Sequence, residues 1–358
     1  MANIIRIQGT KEKEQGIHYE VDVTLPVLGE GNFGAVRQGV LVNENTGSRR
    51  EVAIKFLYDD LSTNAITRAQ KEASISIVHE NLVEMLGFVE TDDQDYYGKK
   101  HKHFHVVSEL LHGVMLYDLL EGKTVDADGN EVSYAKELYD LFQKNRIAFA
   151  IEITRNILSG IMALHDHGFI HRDIDPSNVM ITNDGKIKLI DLGIAKKLSQ
   201  KEKIGPQLTS MGDFVGKAAY AAPELVRGDV ANQNYTTDIY AVGIMLYQLI
   251  VGELPFQGTV HEMLEMQISK PVPVNNIPNR SIREIVRKAT EKHQSDRYQT
   301  SAEFRVELDS VALKIKNGGK VEKKEKKEKK GSNVSGLLLW AGTVVSGLII
   351  GVLTALCV

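Results

Sequence analysis

The sequence predicts an α+β chain with a strand-rich first third and a mainly helical body, and three patterns carry that reading. Between Tyr19 and Leu110, short runs rich in Val, Ile and Phe are broken by Gly and Asn, as in strands joined by turns. From Ala148 onward the apolar spacing becomes helical, with Ile151, Ile153, Ile157, Leu158, Ile161 and Leu164 on one broad face. The last 25 residues, from Val334 to Val358, carry no charge.

Residues 1–18 are polar and predict a loose leader or a first strand. Residues 36–42 and 52–57 read as strands around the turn Asn43-Glu44-Asn45-Thr46-Gly47. Residues 62–78 place Ala and Ile as on a helix face, and residues 82–90 and 104–110 are again strand-like. The expected content of this part is five strands and one helix. Further on, residues 235–251 are apolar on nearly every side, as in a helix enclosed by a large domain. Residues 281–290 and 301–314 predict two more helices. Three polar segments look inserted: 91–103 between two strands, 121–145 ahead of the long helix, and 198–213.

The net charge of −4 conceals an asymmetry. Residues 316–330 hold eight Lys and three Glu, so the first 315 residues are markedly acidic. An acidic globular part gives no reason to expect nucleic acid as a partner. The one cysteine, Cys357, lies in the apolar tail and excludes an intrachain disulfide, which suits a reducing compartment. The N-terminal Met-Ala-Asn-Ile-Ile-Arg has no apolar core of a secretory leader.

The chemistry is concentrated in His171-Arg172-Asp173-Ile174-Asp175-Pro176-Ser177-Asn178, followed by Asp191-Leu192-Gly193 and Ala222-Pro223-Glu224. Phosphoryl transfer needs one group to take a hydroxyl proton and two to hold Mg²⁺ against ATP oxygens. Asp173, Asn178 and Asp191 stand in the order that H-R-D-x-x-x-x-N and D-F-G prescribe. Upstream, Leu28-Gly29-Glu30-Gly31-Asn32-Phe33-Gly34-Ala35-Val36 fits G-x-G-x-x-G-x-V, where bare glycines let backbone N–H groups approach phosphate. Alone, that loop fits an ordinary hairpin equally well; Val52-Ala53-Ile54-Lys55 after it adds the weight. With these motifs in this order, the chain resembles the eukaryotic-type (Hanks-type) serine/threonine protein kinases, of the bacterial membrane-anchored kind, over roughly residues 19–313.

The resemblance implies a two-lobe protein kinase fold. After a leader (1–18) come a small five-stranded β lobe with one helix (19–108), a hinge (109–113) and a large, mainly helical lobe (114–313). A Lys-rich juxtamembrane linker (314–333) and a transmembrane helix (334–358) follow. ATP and Mg²⁺ are implied. Lys55 would bind the α- and β-phosphates, with Glu72 on the following helix as its ion-pair partner. Leu28, Gly29, Gly31, Gly34, Val36 and Ala53 would surround the nucleotide. Ser108 would sit at the back of the adenine pocket and leave it open to bulky inhibitors, and backbone groups of Glu109 and Leu111 would bond adenine. Asp173 would orient the substrate hydroxyl, Asn178 and Asp191 would hold the metal, and His171 would be structural. Arg172 marks kinases whose activation segment is ordered by phosphorylation, with Thr209 and Ser210 the best-placed acceptors. Glu224 would pair with Arg297, and Asp238 would brace the catalytic loop.

Two residues depart from the family pattern. Asp175 stands where serine/threonine kinases carry a lysine facing the transferred phosphate, and a carboxylate there repels it. Taken alone, Asp175 favours a pseudokinase scaffold. Gly216-Lys217 replaces the usual Gly-Thr ahead of the tyrosine. Lys217 is expected to reach back to Asp175 and return the missing positive charge. A small-molecule phosphotransferase is disfavoured by Ala222-Pro223-Glu224 and its long preceding segment, whereas tyrosine as an acceptor stays open.

Weaker patterns were weighed against plainer readings. Asp126, Asp128, Asn130 and Glu137 fit positions 1, 3, 5 and 12 of a calcium loop, but Glu131 stands where the turn needs Gly; a polar loop is the preferred reading. His101, His103 and His105 alternate as on one strand face without an evident metal partner. His165 and His167 read as surface or helix-end residues. As a helix, the tail would extend roughly 37 Å, against a bilayer core that needs about 20 residues. The lysines before it should stay cytoplasmic and can bind anionic lipid. Since the chain ends with that segment, a tail-anchored cytoplasmic kinase is expected. Gly347 and Gly351 form a G-x-x-x-G spacing that could pair two spans in a homodimer, and Cys357 reads as an inert membrane cysteine.

Overall fold

Period-two alternation builds the first part of the chain. The computed structural model describes residues 2–31, 33–94, 100–192, 196–197 and 218–317. Seven strands form one sheet: β1 (Ile4–Ile7), β2 (Ile17–Asp22), β3 (Gly29–Gly31), β4 (Gly34–Asn43), β5 (Arg49–Leu57), β6 (Met85–Gln94) and β7 (Lys100–Glu109). Their order is β1-β2-β4-β5-β7-β6, with β3 folded onto β4. Val52 and Ile54 of β5 enter a core with Ile7, Tyr19, Val21, Val89 and Val107. Alternation then commits Ala53, Lys55 and Leu57 to the opposite face. Two helices belong here, α1 (Thr10–Gln15) and α2 (Thr63–Ala73). The Ser62 hydroxyl caps α2 by accepting from the Ala65 N–H at 3.3 Å. Ala69 and Glu72, one turn apart, are its buried residues.

Two expectations change. Five strands and one helix become seven and two among the described residues: residues 1–18 hold β1, the first strand that is one reading of this segment, together with α1, and the short β3 adds a further strand against β4. β1 pairs along its length with β2, Ile4 opposite Asp22 and Ile7 opposite Tyr19. Segment 91–103 is not a loose connection either. β6 and β7 continue into it, with Asp92 opposite Lys102 and Thr91 opposite His103. Side chains polar on both faces hide such a hairpin from a search for apolar alternation; cross-strand pairs such as Lys102–Glu90 support it instead.

The second part packs around α5 (Arg146–Asp166) and α7 (Tyr235–Val251), with α3 (Leu116–Leu120), α4 (Ser133–Lys144), α6 (Pro223–Val226), α8 (Val260–Ser269), α9 (Arg280–Ala289) and α10 (Ser301–Asn317). α7 is buried nearly all round, as expected, and opens on a capping box of Asn234 and Thr237. The inserted-looking segment 121–145 turns out to contain α4, whose Ala135, Leu138 and Phe142 are buried. Phe142 sets its edge on Phe149 of α5 at 5.1 Å. Short strands β8 (Gly113–Met115), β10 (Val179–Thr182) and β11 (Ile187–Leu189) form a second sheet, and β9 (Phe169–Ile170) pairs with β12 (Lys196–Lys197). Among the described residues only α5 is long and apolar enough to cross a membrane, and its apolar side chains lie in the core. Met1–Leu313 forms one unit and Lys314–Val358 another. Of the latter, 314–317 are described; the expected span from Val334 to Val358 lies outside the described residues.

One buried ion pair ties this part together. Arg297 grips Glu224 with two bonds, of 2.8 and 3.0 Å, and also donates to the carbonyls of Glu291 and Thr236. Burial alone would raise the Glu224 carboxyl, but Arg297's hydrogen bonds and charge outweigh it and hold it below its usual value. The pair's stabilisation is therefore present above the normal carboxylate range and lost as pH falls through the lowered value. Arg297→Met, which leaves Glu224 buried and alone, should cost about 3–5 kcal/mol in urea unfolding at neutral pH. The Arg297→Met/Glu224→Met double variant should recover much of that loss; equal losses would show that the unpaired charge is not the cause.

Candidate active site

The site is assembled on one buried carboxylate. Asp238, in the first turn of α7, has no exposed surface. It accepts the backbone N–H of His171 and of Arg172, both at 2.8 Å. His165 Nε2 lies 2.9 Å from the same carboxylate, its Nδ1 lies 3.0 Å from Ser301 Oγ, and its ring stacks on Tyr235. His165 therefore ends α5 as expected but is not at the surface, because α7 and α10 enclose it. His167 is exposed, its Nδ1 on the Ala163 carbonyl. Held this way, Arg172 takes φ 70°; Asp191, at φ 57°, is the other described non-glycine residue with positive φ. Such backbone persists only where surrounding contacts over-determine it.

The loop then closes on itself. Asp173 donates its N–H to His171 Nδ1 at 3.2 Å. Asn178 Nδ2 donates to the Asp173 carbonyl at 2.8 Å and to its Oδ2 at 3.1 Å. Asp175 Oδ1 accepts the Ser177 N–H at 2.6 Å and its hydroxyl at 2.5 Å, capping the single turn Pro176–Asn178. The Ile190 N–H bonds the Asn178 carbonyl at 2.9 Å, one residue before Asp191. Asp173 and Asn178 are buried and Asp191 is exposed. Two carboxylates and an amide are hard oxygen donors of the kind Mg²⁺ takes, so this set fits a divalent cation.

Lys55 and Glu72 meet the same neighbourhood from the sheet side. Burial first, and the Asp191 charge second, push the Glu72 carboxyl up to about 7, with the Lys55 charge opposing them. Among the described residues no Lys55–Glu72 ion pair within 4 Å is formed, although the Lys55 charge acts on Glu72. A carboxyl raised in this way, only partly ionised at neutral pH, has a weakened hold on an ammonium.

Above them, β3 and β4 form a hairpin with Gly29 opposite Val36 and Gly31 opposite Gly34. Gly34 is required by the fold itself, because a Cβ there would lie 2.0 Å from the Phe56 carbonyl oxygen. A Cβ on Gly29 or Gly31 would meet nothing within 4 Å. Those two bare positions serve no contact within the described chain and leave room for a ligand. Leu28 is exposed beside them. Val36 stands opposite Lys55, and Ala53 opposite Ser108. At the end of β7 the Glu109 N–H is taken by the Glu84 carbonyl at 2.9 Å. Of the backbone groups expected to meet a base, the Glu109 N–H is thus already bonded, and the Glu109 carbonyl accepts the Ser108 hydroxyl at 3.4 Å. Sequence reasoning missed Lys188, whose ammonium reaches Glu109 Oε1 at 2.5 Å.

Gly193, Thr209, Ser210 and Lys217 lie outside the described residues. The Asp175 charge nonetheless adds to burial in raising the Tyr220 hydroxyl, so the loop lies near the chain that leads into Ala222-Pro223-Glu224. Asp126 organises its own turn by accepting the N–H groups of Asp128 and Asn130, and Asn183 Nδ2 bonds its other oxygen. Glu137 sits on α4 instead. His103 lies between Asp59 at 2.9 Å and Asp93 at 3.1 Å. Burial against Phe56 pushes His105 down to about 4.

A family model described as the protein kinase domain matches residues 23–306. A probable serine/threonine-protein kinase of Clostridium perfringens is 29% identical over 83% of this chain and 38% of its own length. The probable serine/threonine-protein kinase PknB of Lactococcus lactis is 30% identical over 78% of this chain and 40% of its own. The serine/threonine-protein kinase PrkC of Bacillus subtilis is 29% identical over 80% and 40%. The chain thus spans about two fifths of the length of these relatives.

The raised Glu72 carboxyl has a consequence for stability. A carboxyl lifted from 4.5 to about 7 contributes stability in its neutral form, fully present below 4.5 and lost as pH rises through about 7. Glu72→Gln cannot ionise, so in ligand-free protein its urea midpoint should gain on the wild type as pH rises from 4.5 to about 7 and level off above that. A difference that is flat with pH would show that Glu72 is already ionised in the folded chain.

Proposed function

The chain belongs to the protein kinase family, and on that premise we propose that it is a serine/threonine protein kinase that transfers the γ-phosphoryl group of Mg·ATP to protein hydroxyls, its own included. The observation that carries this reading is the Asn178 amide bonded to Asp173 while the Asn178 carbonyl is tied to Ile190, beside Asp191. That arrangement gathers one proton-accepting carboxylate and two cation-binding groups in one place. Asp173 would orient the acceptor hydroxyl and take its proton. Asn178 and Asp191 would hold Mg²⁺, which supplies charge neutralisation at the phosphates when bound. Lys55 would grip the phosphates beneath Gly29 and Gly31, and the Glu109 carbonyl with Leu111 would receive adenine.

Asp175 bears on the rival reading of an inactive scaffold, since it removes a cation from the transfer site. Its carboxylate already serves Ser177, and we assign the replacement charge to Lys217. Thr209 and Ser210 are proposed acceptors in the activation segment. The charge-free stretch from Val334 to Val358, preceded by its lysines, is proposed to hold the kinase domain at the cytoplasmic face of a membrane.

Full-length protein in detergent, given labelled Mg·ATP, should phosphorylate itself on Ser or Thr. Asp173→Asn should lower transfer by about 10²–10⁴-fold. A wild type as inert as that variant would leave the scaffold. Lys217→Thr should also lose transfer, whereas near-normal turnover would remove Lys217 from the site.

A further inference from the structure

The strand end that would receive adenine is held by a buried ammonium that belongs to neither the phosphate site nor the catalytic loop. Lys188 lies in the middle of β11, buried among Ile187 and Leu189. Its Nζ donates to the Leu82 carbonyl at 3.1 Å and to Glu109 Oε1 at 2.5 Å. The same Glu109 oxygen accepts the Glu84 N–H at 2.8 Å. The Glu109 N–H returns a bond to the Glu84 carbonyl. Glu84 is braced from outside by Arg50 at 2.6 Å. Glu109 is thus fixed through both its side chain and its N–H, which together set where its Cα, and the carbonyl that follows it, stands.

We propose that Lys188 is the positioning residue that selects adenine, acting through the direction of the Glu109 carbonyl. The inference rests on the nucleotide reading given above. A carbonyl accepts from the exocyclic amine of adenine, while guanine presents an oxygen at the same edge and is repelled by it. Loss of the ammonium leaves Glu109 with a half-buried charge that only the Glu84 N–H still answers. The carboxylate then swings toward water and turns its own peptide. Phosphate-gripping groups stay as they were, so the loss falls on base recognition and not on the triphosphate.

Titration calorimetry on the full-length chain with Mg·ATP and Mg·GTP tests this. Wild type should bind ATP more tightly than GTP. Lys188→Met should weaken ATP about tenfold and GTP less than twofold, collapsing the preference, and Lys188→Arg should restore it. Should Lys188→Met not fold, Glu109→Gln is read in its place, with a two- to threefold loss confined to ATP. Equal weakening of both nucleotides, or none, overturns the assignment and leaves the kinase reading standing. A wild type that binds neither nucleotide overturns both.

Discussion

The site depends on the burial of one negative charge. A carboxylate without solvent is worth several kcal/mol of penalty unless donors surround it, and Asp238 collects three, from the His171 and Arg172 backbones and the His165 ring. Burial alone would raise its carboxyl; the His165 bond and charge, followed by the His171 charge and the Arg172 N–H, reverse the direction and lower it. Charge-assisted bonds to backbone N–H groups are strong and directional. They hold Arg172 in the left-handed region, at φ 70°, immediately before Asp173. The long apolar helix α7 is the platform that places the carboxylate there, which is why an almost wholly apolar segment carries one acid in its first turn.

A second constraint joins the sheet to the helical part through backbone bonds. Asn81 donates its side chain to Asn156 of α5 and to the Ile187 carbonyl, and its own carbonyl accepts the Leu189 N–H. The Val83 N–H bonds the Leu189 carbonyl. α5 comes so close at this point that a Cβ on Gly160 would lie 2.5 Å from the Asn81 carbonyl oxygen. β6 therefore starts from a segment that is already clamped to α5 and β11, and β11 leads two residues later to Asp191. Base-facing strand and metal-facing acid are thus both referenced to one short stretch of backbone.

Legibility in the sequence followed the range of the interactions. The loop from His171 to Asn178 was readable because its chemistry lies within eight residues, and α7 because its apolar character is continuous. The Glu224–Arg297 pair was reached through motif position, not through anything local. His165 ends its helix as expected, but its burial was not legible, because its neighbours Asp166 and His167 are polar, while Ser301, which helps to enclose it, lies 136 residues away. Lys188 of β11 alternates with Lys186 just before the strand and looks like one more solvated lysine, yet Lys186 pairs locally with Asp184 and Lys188 finds Glu109 across 79 residues. The outer halves of β6 and β7 escaped for a different reason: hairpin strands without an apolar stripe are held by cross-strand pairs, which composition does not display.

Asp175 shows how a departure from a family pattern can cost charge without costing geometry. Its backbone is extended, and its short side chain turns back on Ser177, so two donor dipoles face the carboxylate. They partly neutralise it, and its field at a transferred phosphate is weaker than that of a bare carboxylate at the same point. The same cap tightens the turn from Pro176 to Asn178, which brings the Asn178 amide onto Asp173. A lysine at this position could supply the cation but not that cap, because an ammonium has no acceptor to offer backbone N–H groups. Geometry at Asp173 and Asn178 is therefore independent of the missing cation. What the transfer chemistry lacks is a positive charge alone, and a charge, unlike a bonded arrangement, can be delivered from another segment of the chain.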